Sequence, residues 1–375
     1  MTNVKHFHCT DSGRRKGRPF MKGLFLKGIY FDGKAAAYRT DLPLPEPAPG
    51  HTRIKVLRAA VCSTDKEILK GYRPDFKGIL GHEFVGIVDA VAEPSDRERD
   101  CLDADGHDLR KLIGKMVVGE LNEGCGHCLY CRTGREKHCP DRKVIGLSAD
   151  GCFAEYMTLA DHLIHEVPEG LSLEKAVCTE PLAAALEIPK LIHISPDTRI
   201  AIIGDGRLGL MIAQVLTLTG ADLTVIGHHE EKLRLFSPYA KTRTTDSFGL
   251  DFTTEAYATA GSRYEPVPDR VPEDTYEIVV DASGHPSGLD LAARIVRRQG
   301  IIILKSTYAG EVNIDMSHIV VNEISIKGSR CGPFPPALSL LSKGLVNLPD
   351  VEWHDLSDYR NAFASDAFKA GFRIG

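Results

Sequence analysis

The sequence contains no apolar run of the roughly 18 residues that a membrane-spanning helix requires. Residues 1–20 also lack the apolar middle of a secretory signal, although they are rich in Lys and Arg. With 46 Lys and Arg against 51 Asp and Glu, the chain has no basic excess to attract nucleic acid or an anionic membrane. We therefore expect a cytoplasmic protein that binds small molecules. Residues 1–20 are interpreted as a disordered leader, with a weak organelle-targeting peptide as the alternative.

Internal repeats and low-complexity tracts are also absent, which excludes repeat architectures. The 375 residues exceed the usual size of one core, so two domains are expected. A content of 43% hydrophobic and 26% charged residues is ordinary for a globular protein. The ten cysteines do not indicate disulfides, because half of them fall into metal-type spacings and suggest a reducing compartment.

The pattern of elements changes once along the chain. Residues 21–183 show short β-type runs interrupted by Pro and Gly, which predict an antiparallel, barrel-like domain. In residues 184–330 strands alternate with helical segments, which predicts a doubly wound parallel sheet and an α/β fold class. Residues 331–375 are expected to rejoin the first domain. The polar stretch 93–110 is interpreted as a surface loop, and residues 237–275 are too weakly patterned for a detailed prediction.

A glycine-rich turn follows the first strand of the second domain. Ile200 to Ile203 run directly into the sequence Gly204-Asp205-Gly206-Arg207-Leu208-Gly209, and a helical pattern follows. The glycines permit a tight turn, close approach of a pyrophosphate and packing of helix on strand. The helix N-terminus favours the anion. The turn therefore predicts dinucleotide binding, with a ligand-free glycine turn as the weaker alternative.

The next strand end favours NADP over NAD. An acid usually stands there in NAD enzymes and accepts a hydrogen bond from the ribose 2′-OH. In this chain His228 takes that position, and His229 and Lys232 can add positive charge around a 2′-phosphate. The alternative is that His228 is a solvated loop residue and that NAD binds without the usual carboxylate.

Four cysteines form the most specific spacing in the chain, within a lobe at about 120–142. Cys125, Cys128, Cys131 and Cys139 can enclose a tetrahedral zinc with no open position, which predicts a structural site. An iron–sulfur run has three residues before its last cysteine, whereas seven precede Cys139. A disulfide pair is disfavoured by the reducing compartment. A nucleic-acid-binding zinc ribbon would need other spacings and a basic surface.

A second metal site is predicted from residues that are distant in the sequence. Cys62, His82 and Glu83, with Glu180, offer sulfur, nitrogen and oxygen donors for a catalytic zinc. The alternative for Gly81-His82-Glu83 is a plain turn before a buried strand. Thr64 can take a proton from a substrate alcohol, and Glu67 can pass it outward, while Asp65 can orient His82. The segment around Thr64 is equally a helix N-terminal signal.

In this order, these motifs resemble those of zinc-dependent medium-chain dehydrogenases/reductases of the alcohol dehydrogenase type. Glu180-Pro181-Leu182 is similar to the branch that contains sorbitol, threonine and glucose dehydrogenases. The resemblance implies a GroES-like catalytic domain built from both chain ends, a Rossmann domain between them, and a homodimer or homotetramer. It also implies that Ser283 and Gly284 flank the nicotinamide ribose and that the strand 324–327 pairs across the dimer. His228 and Glu67 depart from the family pattern.

The resulting hypothesis is hydride transfer between NAD(P) and an alcohol or carbonyl at zinc. The substrate is expected to be a polyol, sugar or other small secondary alcohol, and simple alcohols or aldehydes are the alternative. A rival of another class is a non-catalytic NAD(P)-binding sensor or structural protein that keeps the zinc lobe for stability. A zinc-free quinone reductase is a further rival, and it would lack both metal sites.

Overall fold

The computed structural model describes residues 25–92, 108–248, 276–307, 312 and 314–375. The predicted leader, most of the predicted surface loop and most of the weakly patterned segment lie outside these residues. Within the described ranges, no helix is long and apolar enough to cross a membrane. The fold is α/β, as predicted, with an antiparallel barrel-like part and a doubly wound parallel sheet.

The antiparallel part contains two main sheets and a small hairpin. The larger sheet has the order β10-β6-β5-β3-β18-β17, with β9 paired to β3, and the smaller one has the order β2-β1-β4. β7 and β8 form the hairpin of the cysteine lobe. The strands are β1 (Phe25–Phe31), β2 (Ala36–Pro43), β3 (His51–Ala60), β4 (Gly78–Ile79), β5 (Glu83–Val91), β6 (Met116–Gly119), β7 (Asn122–Glu123), β8 (Lys143–Val144), β9 (Tyr156–Ala160), β10 (Ile164–Glu166), β17 (Glu352–Asp355) and β18 (Ala370–Arg373).

The parallel sheet has the order β13-β12-β11-β14-β15-β16. This order reverses direction between β11 and β14, and such switch points are where open α/β sheets bind nucleotides. Five of its strands match the segments that the sequence pattern predicts as strands, 199–203, 223–226, 277–281, 301–304 and 324–327, and β13 was not predicted. The strands are β11 (Arg199–Ile203), β12 (Asp222–Gly227), β13 (Lys241–Thr244), β14 (Tyr276–Asp281), β15 (Val296–Leu304) and β16 (Ser325–Gly328).

Helices cover the sheets and connect them. They are α1 (Ser63–Leu69), α2 (Leu129–Arg132), α3 (Leu173–Ala176), α4 (Thr179–Leu191), α5 (Arg207–Thr217), α6 (Glu230–Leu233), α7 (Pro286–Ile295), α8 (Met316–Val321), α9 (Phe334–Ser342) and α10 (Tyr359–Ala364). Short 3₁₀ helices span Leu109–Leu112, Glu136–His138, Asp161–Leu163, Thr245–Phe248 and Leu356–Asp358.

Both faces of the parallel sheet are buried, and this explains its continuous apolar strands. Along β11, Ile200 and Ile202 pack in one core cluster with α4, α5 and α9. Ala201 and Ile203 point to the other face, where they pack in a second cluster with α7 and α8. A third cluster fills the antiparallel part and contains a contact between Phe153 and Phe372 with ring centres 4.9 Å apart.

The C-terminal segment 331–375 contributes to both halves of the molecule. β18 pairs antiparallel with β3 and parallel with β17, so the chain end returns to the antiparallel sheet. Helix α9 instead packs with α4 in the core beside the parallel sheet. The expected return to the first domain therefore begins after α9.

Candidate active site

Three side chains from two segments of the sequence meet at the start of β5. The sulfur of Cys62, a ring nitrogen of His82 and a carboxylate oxygen of Glu83 all lie within 4.8 Å of one another. His82 and Glu83 are buried, and Cys62 is partly exposed. A thiolate, an imidazole and a carboxylate at this spacing can share one divalent cation.

Local backbone geometry presents these donors. Cys62 has an extended backbone and caps the first turn of α1. Gly81 has φ of +91°, and a Cβ atom at this position would lie 2.3 Å from the ring of Phe153. Glycine is therefore required before His82 and Glu83, because the turn is left-handed and packs directly against an aromatic ring.

Asp65 orients the site from within α1, where it is completely buried. Its carboxylate accepts a hydrogen bond from the Cys62 amide at 2.8 Å. The other carboxylate oxygen lies 3.6 Å from Nδ1 of His82. Because Nδ1 lies toward Asp65, Nε2 is the ring nitrogen that is left for a metal, as in other metal-binding histidines.

The electrostatics of the donor set fit a bound cation. Burial opposes protonation of His82, but the charges of Asp65 and Cys62 outweigh it and raise the pKa of the ring well above its usual value. Nδ1 of His82 and Oδ1 of Asp65 are buried without a hydrogen-bond partner among the described residues. The pocket therefore concentrates negative charge around His82, and a divalent ion would compensate it.

Glu180 lines the same cavity from the first turn of α4. It is not one of the three donors that lie within 4.8 Å of one another. Burial raises the pKa of Glu180 to about 7. The structure thus brings Glu180 to the site, at a greater distance than Cys62, His82 and Glu83.

Lys369 forms a buried ion pair with Glu83, and sequence reasoning missed it. Burial alone would raise the pKa of Glu83, but the Lys369 charge outweighs this effect and lowers the pKa. The pair joins β5 to the residue before β18, across 286 positions of the sequence. No local sequence motif predicts this ion pair, because only the pairing of β18 with β3 brings the two side chains together.

A cavity of about 900 Å³ connects the three donors with the glycine-rich turn. Its walls include Cys62, Thr64 and Glu180 on one side and Gly204, Gly206 and Leu208 on the other. A cleft of this size and mixed polarity is typical of a cofactor and substrate site. The cavity thus joins the candidate metal site to the candidate nucleotide site.

The glycines of the turn have the geometry that the motif predicts. Gly204 has φ of +124°, and a Cβ atom there would lie 2.5 Å from the carbonyl oxygen of Ala282. Gly206 has open space and precedes α5. A Cβ atom at Gly209 would lie 2.2 Å from the carbonyl oxygen of Gly204. The turn is therefore tight, it leaves space for a ligand to approach the backbone, and it allows α5 to pack closely on the strand.

The end of β12 carries the residues predicted to recognise the ribose. His228 lines the cavity together with Thr245, and its Nδ1 lies 2.8 Å from the Thr245 hydroxyl. His229 instead contacts the Asp205 carboxylate at 3.0 Å, and that carboxylate also accepts hydrogen bonds from the amides of His228 and His229. Lys232 lines a smaller neighbouring cavity that also contains Arg207.

Ser283 and Gly284 line the cavity after β14, together with Ser306. Asp281 organises this loop, since its Oδ1 accepts hydrogen bonds from the amide and hydroxyl of Ser283 and from the Ser306 hydroxyl. Lys305 also faces the cavity, and burial lowers its pKa to about 8. Sequence reasoning missed Lys305, which lies in an apolar strand end without a motif.

The two predicted proton-relay residues are placed differently. Thr64 lines the cavity, with its hydroxyl 3.7 Å from the sulfur of Cys62. Glu67 is not among the residues that line the cavity, and its carboxylate pairs with Lys70 at 2.8 Å on the outside of α1. We therefore do not assign a relay role to Glu67.

The four cysteines of the lobe form a second donor cluster. The sulfur atoms of Cys125, Cys128, Cys131 and Cys139 lie within 4.8 Å of one another. Hydrogen bonds from the backbone at His127 and Cys128 lower the pKa of Cys125 to about 6. The amide of Cys125 donates to the Cys139 sulfur at 3.4 Å. Four thiolates supported by backbone amides fit a closed zinc site.

Three arginines that sequence reasoning missed also line the cavity. Arg73 follows α1, Arg142 lies at the end of the cysteine lobe, and Arg330 follows β16. Burial lowers the pKa of Arg142, and the charges of Arg330 and Arg73 lower it further. Single arginines in loops of separate segments give no recognisable spacing in a sequence.

Two family models match the chain. The alcohol dehydrogenase GroES-like domain matches residues 48–169, and the zinc-binding dehydrogenase domain matches residues 208–343. A D-arabitol-phosphate dehydrogenase from Enterococcus avium is 30% identical over 356 residues, which cover 92% of this chain and 93% of that protein. A sorbitol dehydrogenase from Halalkalibacterium halodurans is 28% identical over 344 residues, which cover 88% of this chain and 92% of that protein.

Solved structures share the fold. The alcohol dehydrogenase RspB from E. coli CFT073, in complex with NADH, has a TM-score of 0.74 at 24% identity and covers 93% of this chain and 99% of that chain. A zinc-binding dehydrogenase from Sinorhizobium meliloti 1021, bound to NADP, gives the same TM-score, identity and coverage. At this identity the likeness shows the fold alone, and the two structures hold different cofactors.

Proposed function

Because the chain belongs to the zinc-type medium-chain dehydrogenase/reductase family and is an NAD(P)-linked oxidoreductase acting on alcohols, we propose that it interconverts a secondary alcohol of a small polyol or sugar with the corresponding ketone. The site is a zinc ion bound by Cys62, His82 and Glu83. The observation that carries this proposal is that these three donors and the glycine-rich turn share one cavity. The printed names of the relatives, which include sorbitol and D-arabitol phosphate, support the polyol class.

In this proposal zinc supplies a Lewis acid that lowers the pKa of a bound alcohol, and the nicotinamide accepts the hydride. Thr64 relays the alcohol proton: its hydroxyl, which lies beside Cys62 in the cavity, accepts that proton and releases its own to solvent. Asp65 holds the orientation of His82. Lys369 keeps Glu83 ionised, and Glu180, which lies outside the group of three donors, would help to hold the ion through water.

We also propose that the cysteine lobe holds a structural zinc. Cys125, Cys128, Cys131 and Cys139 supply four thiolates and leave no position for a substrate. The lobe is attached to the barrel by ion pairs of Glu136 with His162 and of Glu123 with His51.

NADP is proposed as the preferred cofactor. The position after β12 carries His228 in place of a carboxylate, and this imidazole lines the cavity with Thr245. Lys232 and Arg207 add positive charge in the neighbouring cavity. A 2′-phosphate at this corner would therefore meet donors and cations.

A homodimer in the cytoplasm completes the proposal. β16 is an edge strand of the parallel sheet, and all four of its residues are exposed. Val320 and Val321 of α8 are 70% and 79% exposed close to it in the sequence, and Ile326 of β16 is 37% exposed. An unpaired strand with apolar neighbours is a suitable surface for pairing with a second copy.

The test is a panel of polyols, sugars and simple alcohols assayed with NAD⁺ and NADP⁺. We expect reduction of the cofactor with secondary alcohols of polyols or sugars. Thr64→Val should lower kcat by about 10²-fold or more while zinc content is unchanged, because a positioned proton acceptor contributes about 10²–10⁴-fold. Ser148→Ala, on the exposed surface, is the control. Oxidation of simple primary alcohols alone would contradict the substrate class, and absence of any turnover would contradict the proposal itself.

A further inference from the structure

The cavity is more positively charged than the protein that encloses it. The whole chain has a formal net charge of −5. In the described part of the chain, six Lys or Arg residues line the cavity, against three carboxylates. The cations are Arg73, Arg142, Arg207, Lys305, Arg330 and Lys369, and the carboxylates are Glu83, Glu180 and Asp205. A cleft that inverts the charge of its protein attracts anions.

Three of these cations already have a place in the site. Lys369 pairs with Glu83. Arg207 stands in the glycine-rich turn, and its guanidinium donates to the carbonyl of Val61 at 2.8 Å. Lys305 donates from Nζ to two carbonyl oxygens and one hydroxyl. The remaining cations are Arg73, Arg142 and Arg330, which come from loops on the catalytic side of the cavity.

These three arginines have no counter-ion among the described residues. The Arg142 guanidinium donates to the carbonyl of Cys139 at 3.1 Å, and that of Arg330 donates to the amide oxygen of Asn122 at 2.8 Å, so both partners are neutral. Nε of Arg142 is buried and has no hydrogen-bond partner among these residues. A buried guanidinium donor without an acceptor, in a cavity that two further guanidinium groups line, indicates an anion site.

We propose that Arg73, Arg142 and Arg330 bind an oxyanion on the substrate, and that the substrate is a phosphate monoester of a polyol or sugar. This inference rests on the proposed function, since it assigns the substrate class of the same site. Planar guanidinium groups match the oxygens of phosphate and carboxylate in pairs. Three of them supply more positive charge than one carboxylate needs, and a phosphate monoester carries close to two negative charges at neutral pH.

The geometry also gives each end of the substrate a separate task. The three arginines and the Cys62, His82 and Glu83 trio line one cavity, so one molecule can reach both. Charge-assisted hydrogen bonds at the phosphate would position the reacting carbon from a distance, and the binding energy of such a remote group is used to orient the substrate.

The first experiment compares three compounds with one carbon skeleton. D-sorbitol, D-sorbitol 1-phosphate and D-gluconate differ at carbon 1, which carries a neutral hydroxyl, a phosphate monoester or a carboxylate. Matched five-carbon and four-carbon sets extend the comparison. We expect kcat/KM of the phosphorylated member to exceed that of the neutral member by about 100-fold or more in the preferred set. An equal or higher value for the neutral polyol would overturn the inference and leave the proposed function standing. A preference for the carboxylate would assign the arginines to hydroxy acids and overturn the phosphate assignment.

Arginine variants test the residues. Arg73→Gln and Arg142→Gln should each lower kcat/KM of the phosphorylated member by about tenfold more than kcat/KM of the neutral polyol. Arg135→Gln is the matched control, because Arg135 lies in the same lobe as Arg142, stacks on Tyr130 and does not line the cavity. Loss of neutral and phosphorylated turnover in equal proportion in both variants would show a structural role and would contradict the inference.

A binding measurement separates the two proposals. Titration calorimetry with inorganic phosphate, against chloride at equal ionic strength, should detect binding to the wild-type protein with its cofactor bound. Binding should be about tenfold weaker in Arg142→Gln and in Arg73→Gln. Phosphate binding that is the same in wild type and both variants would overturn the inference whatever the activity. Arginine-dependent phosphate binding without oxidation of any compound would support the anion site and contradict the proposed function.

Discussion

The pairing of Glu83 with Lys369 shows what a single residue contributes to this site. Glu83 is 1% exposed, so its carboxylate would be costly to bury without a positive partner. Lys369 supplies that partner, so the Cys62 sulfur and the His82 ring lie beside a carboxylate whose charge is already paired. Lys369, which is distant in the sequence, therefore favours the charged form of Glu83, the carboxylate of the Gly-His-Glu motif.

We expect the preference for NADP over NAD to depend on one side chain at the end of β12, that of His228. In His228→Asp we expect the ratio of kcat/KM for NADP⁺ to that for NAD⁺ to fall by about 10- to 100-fold. A carboxylate would accept a hydrogen bond from the ribose 2′-OH, a contact of about 1.5–3 kcal/mol, and would repel a 2′-phosphate. Steady-state kinetics with both cofactors measures the ratio. Glu230→Gln, which begins the next helix and is exposed, is the control. An unchanged ratio would contradict the role of His228.

Residues that are close in sequence were predictable, and those joined only by the fold were not. Gly204, Gly206 and Gly209 lie in one turn, so their spacing alone predicts the geometry of that turn. Cys62 and His82 could be proposed as neighbours because their residue types match a zinc site, and their donor atoms do lie close together. Arg142 and Lys369 carry equally important charge, but a lone Lys or Arg is ordinary on any surface, and burial cannot be read from the sequence.

At the scale of elements, the turn before β5 fixes the metal donors. Gly81→Ala would place a Cβ atom at φ of +91° and 2.3 Å from Phe153. We expect the backbone strain to lower the free energy of unfolding by about 1–3 kcal/mol, and the clash with Phe153 to lower it further. We also expect the variant to lose zinc and turnover. Calorimetry and metal analysis provide the measurements.

Gly114→Ala is the matched control for this prediction. Gly114 has φ of +83° but nothing within 4 Å of its Cβ position, so it isolates the backbone term. We expect it to be less destabilising and to retain zinc and activity. Equal melting temperatures and zinc contents for the two variants would contradict the claim that the contact with Phe153 positions His82 and Glu83.

We expect the fold of the cysteine lobe to depend on a bound metal ion rather than on a hydrophobic core. Its helix α2 has no buried residue. Because α2 is only four residues long, it cannot be stable alone. Cys131→Ser should therefore remove one zinc per subunit, lower the melting temperature and expose the lobe to proteolysis. His138→Gln, an exposed lobe residue outside the cysteine set, should have no such effect. A Cys131→Ser protein with unchanged zinc content would exclude the structural site.

Strand prediction succeeded where apolar patterning was strong and failed at an edge. β11 and β14 are almost completely buried and have continuous apolar sequences. β13 has the sequence Lys-Thr-Arg-Thr from Lys241, with two exposed and two half-buried residues. Its position is set by hydrogen bonds to β12 rather than by burial, so a hydrophobic pattern could not reveal it.

For the whole molecule, the exposed edge at β16 predicts assembly. Combining Val321→Asp with Ile326→Lys should convert a dimer to monomers, because it places charges on an apolar surface beside an unpaired strand. Sedimentation velocity measures the subunit number. Leu218→Asp, which changes a 50% exposed residue after α5, is the control and should leave the dimer intact. A dimer that survives the double substitution would place the interface elsewhere.

The arrangement of the whole chain places two sites at one cleft. The antiparallel part supplies Cys62, His82 and Glu83, the parallel sheet supplies the glycine-rich turn, and the return of β18 adds Lys369. The change from β-type runs to alternating elements is visible in the sequence, and the strands of the antiparallel sheets and of the parallel sheet follow that change. The division of residues 331–375 between both halves could not be predicted, because it depends on packing of α9 against α4.

The most direct measurement is the zinc content of the wild-type protein and of Cys62→Ala, determined on the same samples as dinucleotide binding and alcohol oxidation. The two donor clusters predict two zinc ions per subunit in the wild type and one in the variant. Cys62→Ala should retain dinucleotide binding and lose turnover. A variant that keeps both zinc ions, or that oxidises the alcohol at the wild-type rate with one, would contradict zinc-dependent hydride transfer at Cys62, His82 and Glu83.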